Sequence, residues 1–263
     1  MFGLFRRGTL LGTDLTEAQF DCFAWLLRHT GGMGAFRERR AIFPTPEFYR
    51  HEGARARDHT FAHSLFDQTR AHAGMQGWPC QLEAQEDDPD PLVGKWTLVK
   101  GAPQGPGGTW RATEDGALIT YHPKRLGDPM SLVATFAHEL AHYRTAGFPE
   151  PPPGGWDAWE DATDLAAVFL GFGVFLANTR FQFSQFAQGD TQGWQWRRQG
   201  YLSEPEILHM HAIFVTLLQL PPTETLRQLK PSLRGIFKRT LSDVRKADAE
   251  LDALRRIGEA APA

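Results

Sequence analysis

A five-residue string, His138-Glu139-Leu140-Ala141-His142, lies inside an apolar run spanning about residues 129–143 and restricts this chain more than any other feature it has. The run predicts a helix, with Asp128 as N-cap and Pro129 at the first helical position, where its missing N–H costs nothing. On a helix, residues i and i+4 lie one above the other, so His138 and His142 can aim both imidazoles at one metal ion. Glu139 sits beside that face, where its carboxylate can reach a metal-bound water without becoming a ligand. Because the helix is apolar almost all round, two histidines and a glutamate on it are costly unless something pairs them. The spacing therefore points to a metal site with zinc, Zn2+, as the expected ion.

A catalytic zinc usually has three protein ligands and one open position, so two histidines need a third donor. Residues 144–155 contain Pro149, Pro151, Pro152 and Pro153 and must be a loop. Helical pattern resumes near Asp157 and runs to about Asn178, with Gly171 and Gly173 placed to let another backbone approach closely. Asp157, Glu160, Asp161 and Asp164 all fall in its first two turns, and Glu160 and Asp164 share a face at i, i+4. The competing account is a buried helix with two satisfied histidines, followed by an acidic first turn favoured by the helix dipole.

The flanking chain predicts further helices. Asp14 and Glu17 form a capping-box pattern ahead of a stripe of Leu15, Phe20, Phe23, Leu26 and Leu27 that ends at Gly31-Gly32. Pro44 and Pro46 break the next segment, and residues 60–73 are helical with Gly74 as C-terminal cap. His59 and His63 have ligand spacing but no carboxylate between them, which favours a solvated or core-edge role. Extended runs at 78–84, 95–99 and 117–122, separated by turn residues, predict a small antiparallel sheet. Ser203 and Glu206 form a second capping box, opening a helix to about Leu220 that Pro221-Pro222 ends. Apolar residues at three- and four-residue steps then continue as C-terminal helices, broken near Pro231 or Gly235. The aromatic-rich stretch 181–196 gives no assignable element.

With 263 residues, 41% of them hydrophobic, the chain can bury a substantial core, and we expect one domain. N-terminal helices would occupy about 14–74, the sheet and metal-site core about 78–178, and C-terminal helices about 203–257. The net charge of -3 gives no global attraction to nucleic acid or acidic membranes. Cys22 and Cys80 are too far apart in sequence for a disulfide framework or a cysteine zinc cluster to be read, so a reducing, cytoplasmic setting is expected. No secretory pattern follows the first seven residues. The most apolar stretch, 165–177, is shorter than the ~18 residues a bilayer span needs and reads as a buried helix.

The string HExxH, a loop, and a helix bearing E-x-x-x-D together resemble the gluzincin metallopeptidases, thermolysin-like in pattern, over roughly residues 78–178. The metzincin pattern fails, since Thr145 and Phe148 stand where it has Gly and His. The resemblance implies a zincin-like α+β fold, mainly helical, with a small antiparallel-rich sheet before the motif helix and an edge strand that aligns an extended peptide. By position it implies His138, His142 and Glu160 as zinc ligands, Glu139 as general base, and Asp164 as the carboxylate that orients a ligand histidine. Glu160 also has the reach to bind while its helix backbone stays clear of the motif helix, and it leaves Asp164 level with an imidazole. Asp161 would turn the binding face by about 100 degrees.

The expected activity is hydrolysis of peptide or protein substrates by a zinc-activated water. The alternative is a zincin-fold binding or regulatory module that holds zinc without turnover, though such a site has no use for Glu139. An oxyanion stabiliser would come from Tyr201, His209 or His211. Tyr201, in the loop before a capped helix, is the preferred candidate, because His209 and His211 point to different helix faces.

Overall fold

The computed structural model describes residues 9–50, 57–86, 92–93, 97–98, 107–186 and 202–258. In chain order these form helices α1 (Thr13–His29), α2 (Gly32–Phe36) and α3 (His59–His72), then strands β1 (Cys80–Ala84), β2 (Leu92–Val93), β3 (Thr97–Leu98), β4 (Gly108–Thr113) and β5 (Gly116–Tyr121). Helices α4 (Pro129–Thr145), α5 (Trp159–Ala167), α6 (Gly173–Phe186), α7 (Glu204–Leu217), α8 (Pro222–Gln228), α9 (Pro231–Val244) and α10 (Asp248–Arg255) follow. The architecture is α+β and mainly helical.

Helix α4, which carries the motif, begins as its sequence dictates. Asp128 accepts hydrogen bonds from the Ser131 N–H (3.2 Å) and the Ser131 hydroxyl (2.7 Å), and Pro129 occupies the first turn. Leu132, Val133, Phe136, Ala137, Leu140 and Ala141 are all fully buried, covering faces of α4 that meet α3, the sheet, α5 and α6. The helix runs two residues past Tyr143, and the Thr145 hydroxyl closes its last turn on the Ala141 carbonyl at 2.9 Å. The Pro-rich loop that follows is pinned to α1, where the Trp25 indole N–H donates to the Glu150 carbonyl at 3.2 Å.

The sheet differs from the sequence expectation. Its order is β1-β5-β4, with β1 parallel to β5 (Leu82 opposite Ile119) and β4 antiparallel to β5 (Trp110 opposite Ile119). Parallel pairing needs a long crossover, and the chain between β1 and β5 supplies one that includes β4 itself. β4 and β5 form a hairpin closed over Glu114 and Asp115. β4 escaped the sequence reading because Gly107, Gly108 and Pro106 look like turn residues. Thr97–Leu98, inside the expected strand 95–99, pairs instead with Leu92–Val93 in a separate two-stranded ladder.

The acidic helix and the apolar block belong to one helical run that starts at Trp156 and continues through α6 to Phe186; its Trp156–Thr179 part, 24 residues, has mean hydropathy 1.5 in its most apolar window. It is long and apolar enough to cross a membrane by composition, and that window is fully buried within the protein, as a core helix is. A π-helical turn, Val168–Phe172, separates α5 from α6, and Gly171 within it has φ +110°. The Gly171 carbonyl accepts the Ile42 N–H at 2.9 Å, and a Cβ at Gly171 would collide with the Arg40 carbonyl. Gly171 thus admits a second backbone, as expected. At Gly173 the neighbour is instead a side chain, the His211 ring.

Ser203 and Glu206 cap α7 as the box pattern required. α1 begins one residue before Asp14, capped by Gly12, so the expected box there does not form. Pro231, and not Gly235, breaks the C-terminal helices. Asn178 ties α6 to the α8–α9 junction, donating to the Gln228 carbonyl and accepting from the Lys230 N–H, both at 2.9 Å. One contiguous core runs from Phe20 on α1 to Leu254 on α10.

His209 and His211 lie inside that core, 2% and 0% exposed. His209 packs edge-on to Phe20 and, among the described residues, neither ring nitrogen has a hydrogen-bond partner; Asp243 on α9 supplies the nearby charge. Among the described residues His211 keeps one hydrogen bond, between Nε2 and the Thr225 hydroxyl at 3.1 Å. Burial pushes both histidines down to about 4. Each is neutral in the fold at a pH where the unfolded chain would take up a proton, so its contribution is complete above pH 6.5 and is lost as pH falls towards 4. We expect a loss on the order of 3 kcal/mol per histidine across that window, read by urea unfolding at a series of pH values. His209→Phe should unfold with a shallower acid dependence, and an identical pH slope in that variant would refute the assignment.

Candidate metal centre

Helix α4 presents His138 and His142 one turn apart, and α5 crosses it with Glu160 and Asp164 on the facing side. Glu160 Oε2 lies 3.4 Å from His138 Nε2 and 3.4 Å from His142 Nε2. The three ligand atoms all fall within 4.8 Å of one another, the one such three-donor group among the described residues. The two imidazoles stand nearly perpendicular, at 86°, and the shared distance to Glu160 Oε2 places both Nε2 atoms on the space that Glu160 faces. Asp161 looks elsewhere, its charge acting on the buried Cys22 thiol of α1, and Asp157 is exposed in the turn before α5.

Each histidine is held from behind. His138 Nδ1 is 2.9 Å from Asp164 Oδ1, a carboxylate only 5% exposed. An imidazole that binds a cation through Nε2 carries its proton on Nδ1, and Asp164 is the acceptor for that proton. His142 Nδ1 meets the Thr163 hydroxyl at 3.2 Å, and that hydroxyl donates onward to the Trp159 carbonyl at 2.8 Å. The Trp159 indole N–H also points at His142 Nδ1, at 3.0 Å. Because indole can only donate, that contact and a protonated Nδ1 exclude each other.

The electrostatics favour a cation. Burial alone would lower the His138 pKa, yet hydrogen bonds to Asp164 and Glu160 override it and raise it well above its ordinary value. His138 and His142 in turn hold the Glu160 carboxyl far below the usual carboxylate range. A donor set of two imidazole nitrogens and one carboxylate oxygen suits zinc and related divalent ions, so the residues present fit a bound metal.

Glu139 stands beside the triad and outside it. It is 6% exposed, and burial pushes its carboxyl up against the opposing pull of His138 and His142. Strand β4 passes directly over it. A Cβ on Gly108 would stand 3.2 Å from Glu139 Oε1 and 2.8 Å from the Thr120 carbonyl, so only glycine lets the strand approach this closely. Between β4 and α5 opens a cleft of about 430 Å³, walled by Gly108, Trp110, Thr135, Trp159, Leu176 and Ile207 with the triad at its floor. The Trp110 and Trp159 rings both lie nearly parallel to His142, at 18° and 24°.

His138, Glu139, His142, Glu160 and Asp164 are thus brought together at one site, as the sequence suggested. His209 and His211 do not line the cleft. Tyr201 lies outside the described residues. Gly108, Trp110, Trp159 and Thr163 were missed by sequence reasoning. Thr163 was findable, since it follows Glu160 by three residues and shares that side of the helix. No protein-family model, curated protein or solved structure matches the chain.

Two outcomes test the centre. Glu160→Ala should lose its tightly bound zinc while Asp161→Ala keeps it, and Asp164→Asn should weaken zinc binding roughly 10- to 100-fold; undiminished tight binding in Glu160→Ala would overturn the donor set. Zinc should also displace the Trp159 indole from His142 and change tryptophan emission. In Trp159→Phe the main part of that change should vanish while zinc still binds, and an unaltered response in the variant would contradict the exclusion argued above.

Proposed function

We propose that this chain is a zinc-dependent metallopeptidase of gluzincin-like pattern, with Glu139 as its general base. One observation carries the reading: a buried carboxylate lines the same cleft as the donor triad and takes no part in it. A site that only stored a metal would gain nothing from Glu139, whose burial is costly. When bound, zinc would polarise a peptide carbonyl and bring a water's pKa to about 7.

The chain's own groups do the rest. Glu139, its carboxyl raised by burial, accepts the proton of the attacking water and returns it to the leaving amine. Asp164 and Thr163 hold the two imidazoles with Nε2 facing Glu160. β4 is an end strand of its sheet, and Gly108–Trp110 lie along the cleft, which suits an extended peptide added by backbone hydrogen bonds. Tyr201 is our proposed donor to the developing oxyanion, since α7, which it precedes, reaches the cleft wall through Ile207.

The test is a peptide-library digest by the purified protein. Cleavage should stop with a chelator, return with zinc, and fall roughly 10²- to 10⁴-fold in Glu139→Gln, a variant that should keep its metal. Near wild-type hydrolysis in Glu139→Gln would sink the mechanism.

A further inference from the structure

His59 and His63, in the first two turns of α3, repeat the histidine geometry of the metal centre in a different part of the molecule. Their Nε2 atoms are 3.0 Å apart, so both rings turn the same nitrogen towards one point. The rings stand at 87° with centroids 4.5 Å apart, against 86° and 4.7 Å for His138 and His142. Helical spacing makes such a pair possible but does not make both Nε2 atoms converge, which is a choice of rotamer.

The first ring is also held from behind. His59 Nδ1 lies 2.7 Å from the hydroxyl of Tyr121, a residue 1% exposed, and the two rings stack at 14°. This hydroxyl occupies the place that Asp164 takes on His138. A tyrosine hydroxyl can donate or accept, so it can accept a hydrogen bond from Nδ1–H when Nε2 becomes a ligand. Asp58 caps the helix by accepting the Phe61 N–H at 3.1 Å, which fixes the turn that carries His59.

We infer a second divalent-metal site on α3, with His59 and His63 as its two protein ligands and water in the remaining positions. A metal ion there replaces the single proton that bridges the two nitrogens. Two imidazoles select borderline ions such as copper, nickel and zinc over magnesium or calcium. With one protein donor fewer than the centre on α4, this site is the weaker and fills second. Its effect is to clamp the start of α3, which packs on the motif helix through Phe66 against Phe136, 5.3 Å between ring centroids.

The inference does not depend on the peptidase reading, and equilibrium dialysis of the full chain against nickel separates the two. His59→Gln and His63→Gln should each bind one nickel fewer than the wild type, with the weaker phase missing. His142→Gln, which breaks the histidine pair on α4, should lose the tighter phase and keep the weaker. His63 is partly exposed and His59 exposed, and circular dichroism of each variant verifies that α3 and the fold are intact. Wild-type nickel content in both His59→Gln and His63→Gln overturns the second site.

Discussion

The pairing of α5 carboxylates with α4 imidazoles is the interaction on which the rest of this structure depends. Helix α4 is enclosed by α3, α5, α6 and the sheet, and its apolar residues gain from that enclosure. His138, Glu139 and His142 would oppose it if left unpaired, since an uncompensated buried charge costs several kcal/mol. Asp164 answers His138 and Glu160 faces both rings, so the polar residues of α4 determine which side of it α5 must cover. The Pro-rich loop then has to carry the chain back across α4, and its anchoring to Trp25 fixes that return.

A second constraint comes from the strand above. β4 can lie over Glu139 only because Gly108 has no side chain, and residues of both a strand and a helix line the cleft beside the histidines of α4. Strand and helix meet the same imidazole: Trp110 from β4 and Trp159 from α5 both lie parallel to His142. Loss of either backbone element would open the centre to solvent and weaken every charge interaction within it.

What was legible in the sequence was local. The Asp128 and Ser203 caps, the i, i+4 pairs on α4 and α5, and the helix-forbidding prolines each depend on residues within a few positions of one another, and each appears in the fold as read. The Asp14–Glu17 pattern failed on the same local scale, because Gly12 already supplies the carbonyl that starts α1. The parallel pairing of β1 with β5, the strand hidden behind Gly107 and Gly108, and the crossing of β4 over Glu139 are long-range events with no periodic signature. His209 and His211 illustrate the same limit. Their residue type suggests chemistry, and only the packing of α1, α6, α8 and α9 around α7 shows them as core.

The two histidines of the centre are not equivalent, and the difference lies in what stands behind each ring. Asp164 can only accept from His138, so Nδ1 there has one compatible state and the ring is fixed for a ligand at Nε2. His142 has a hydroxyl that can accept and an indole that can only donate, so its Nδ1 has two compatible states. The centre is therefore rigid on the side of His138 and adaptable on the side of His142. Trp159, one residue before Glu160, couples that second ring to the helix bearing the third donor, so any turn of the His142 ring is felt at the base of α5. For a group of side chains that could hold a cation, such a division leaves one imidazole fixed by a buried carboxylate and the other able to reorient against the cleft wall.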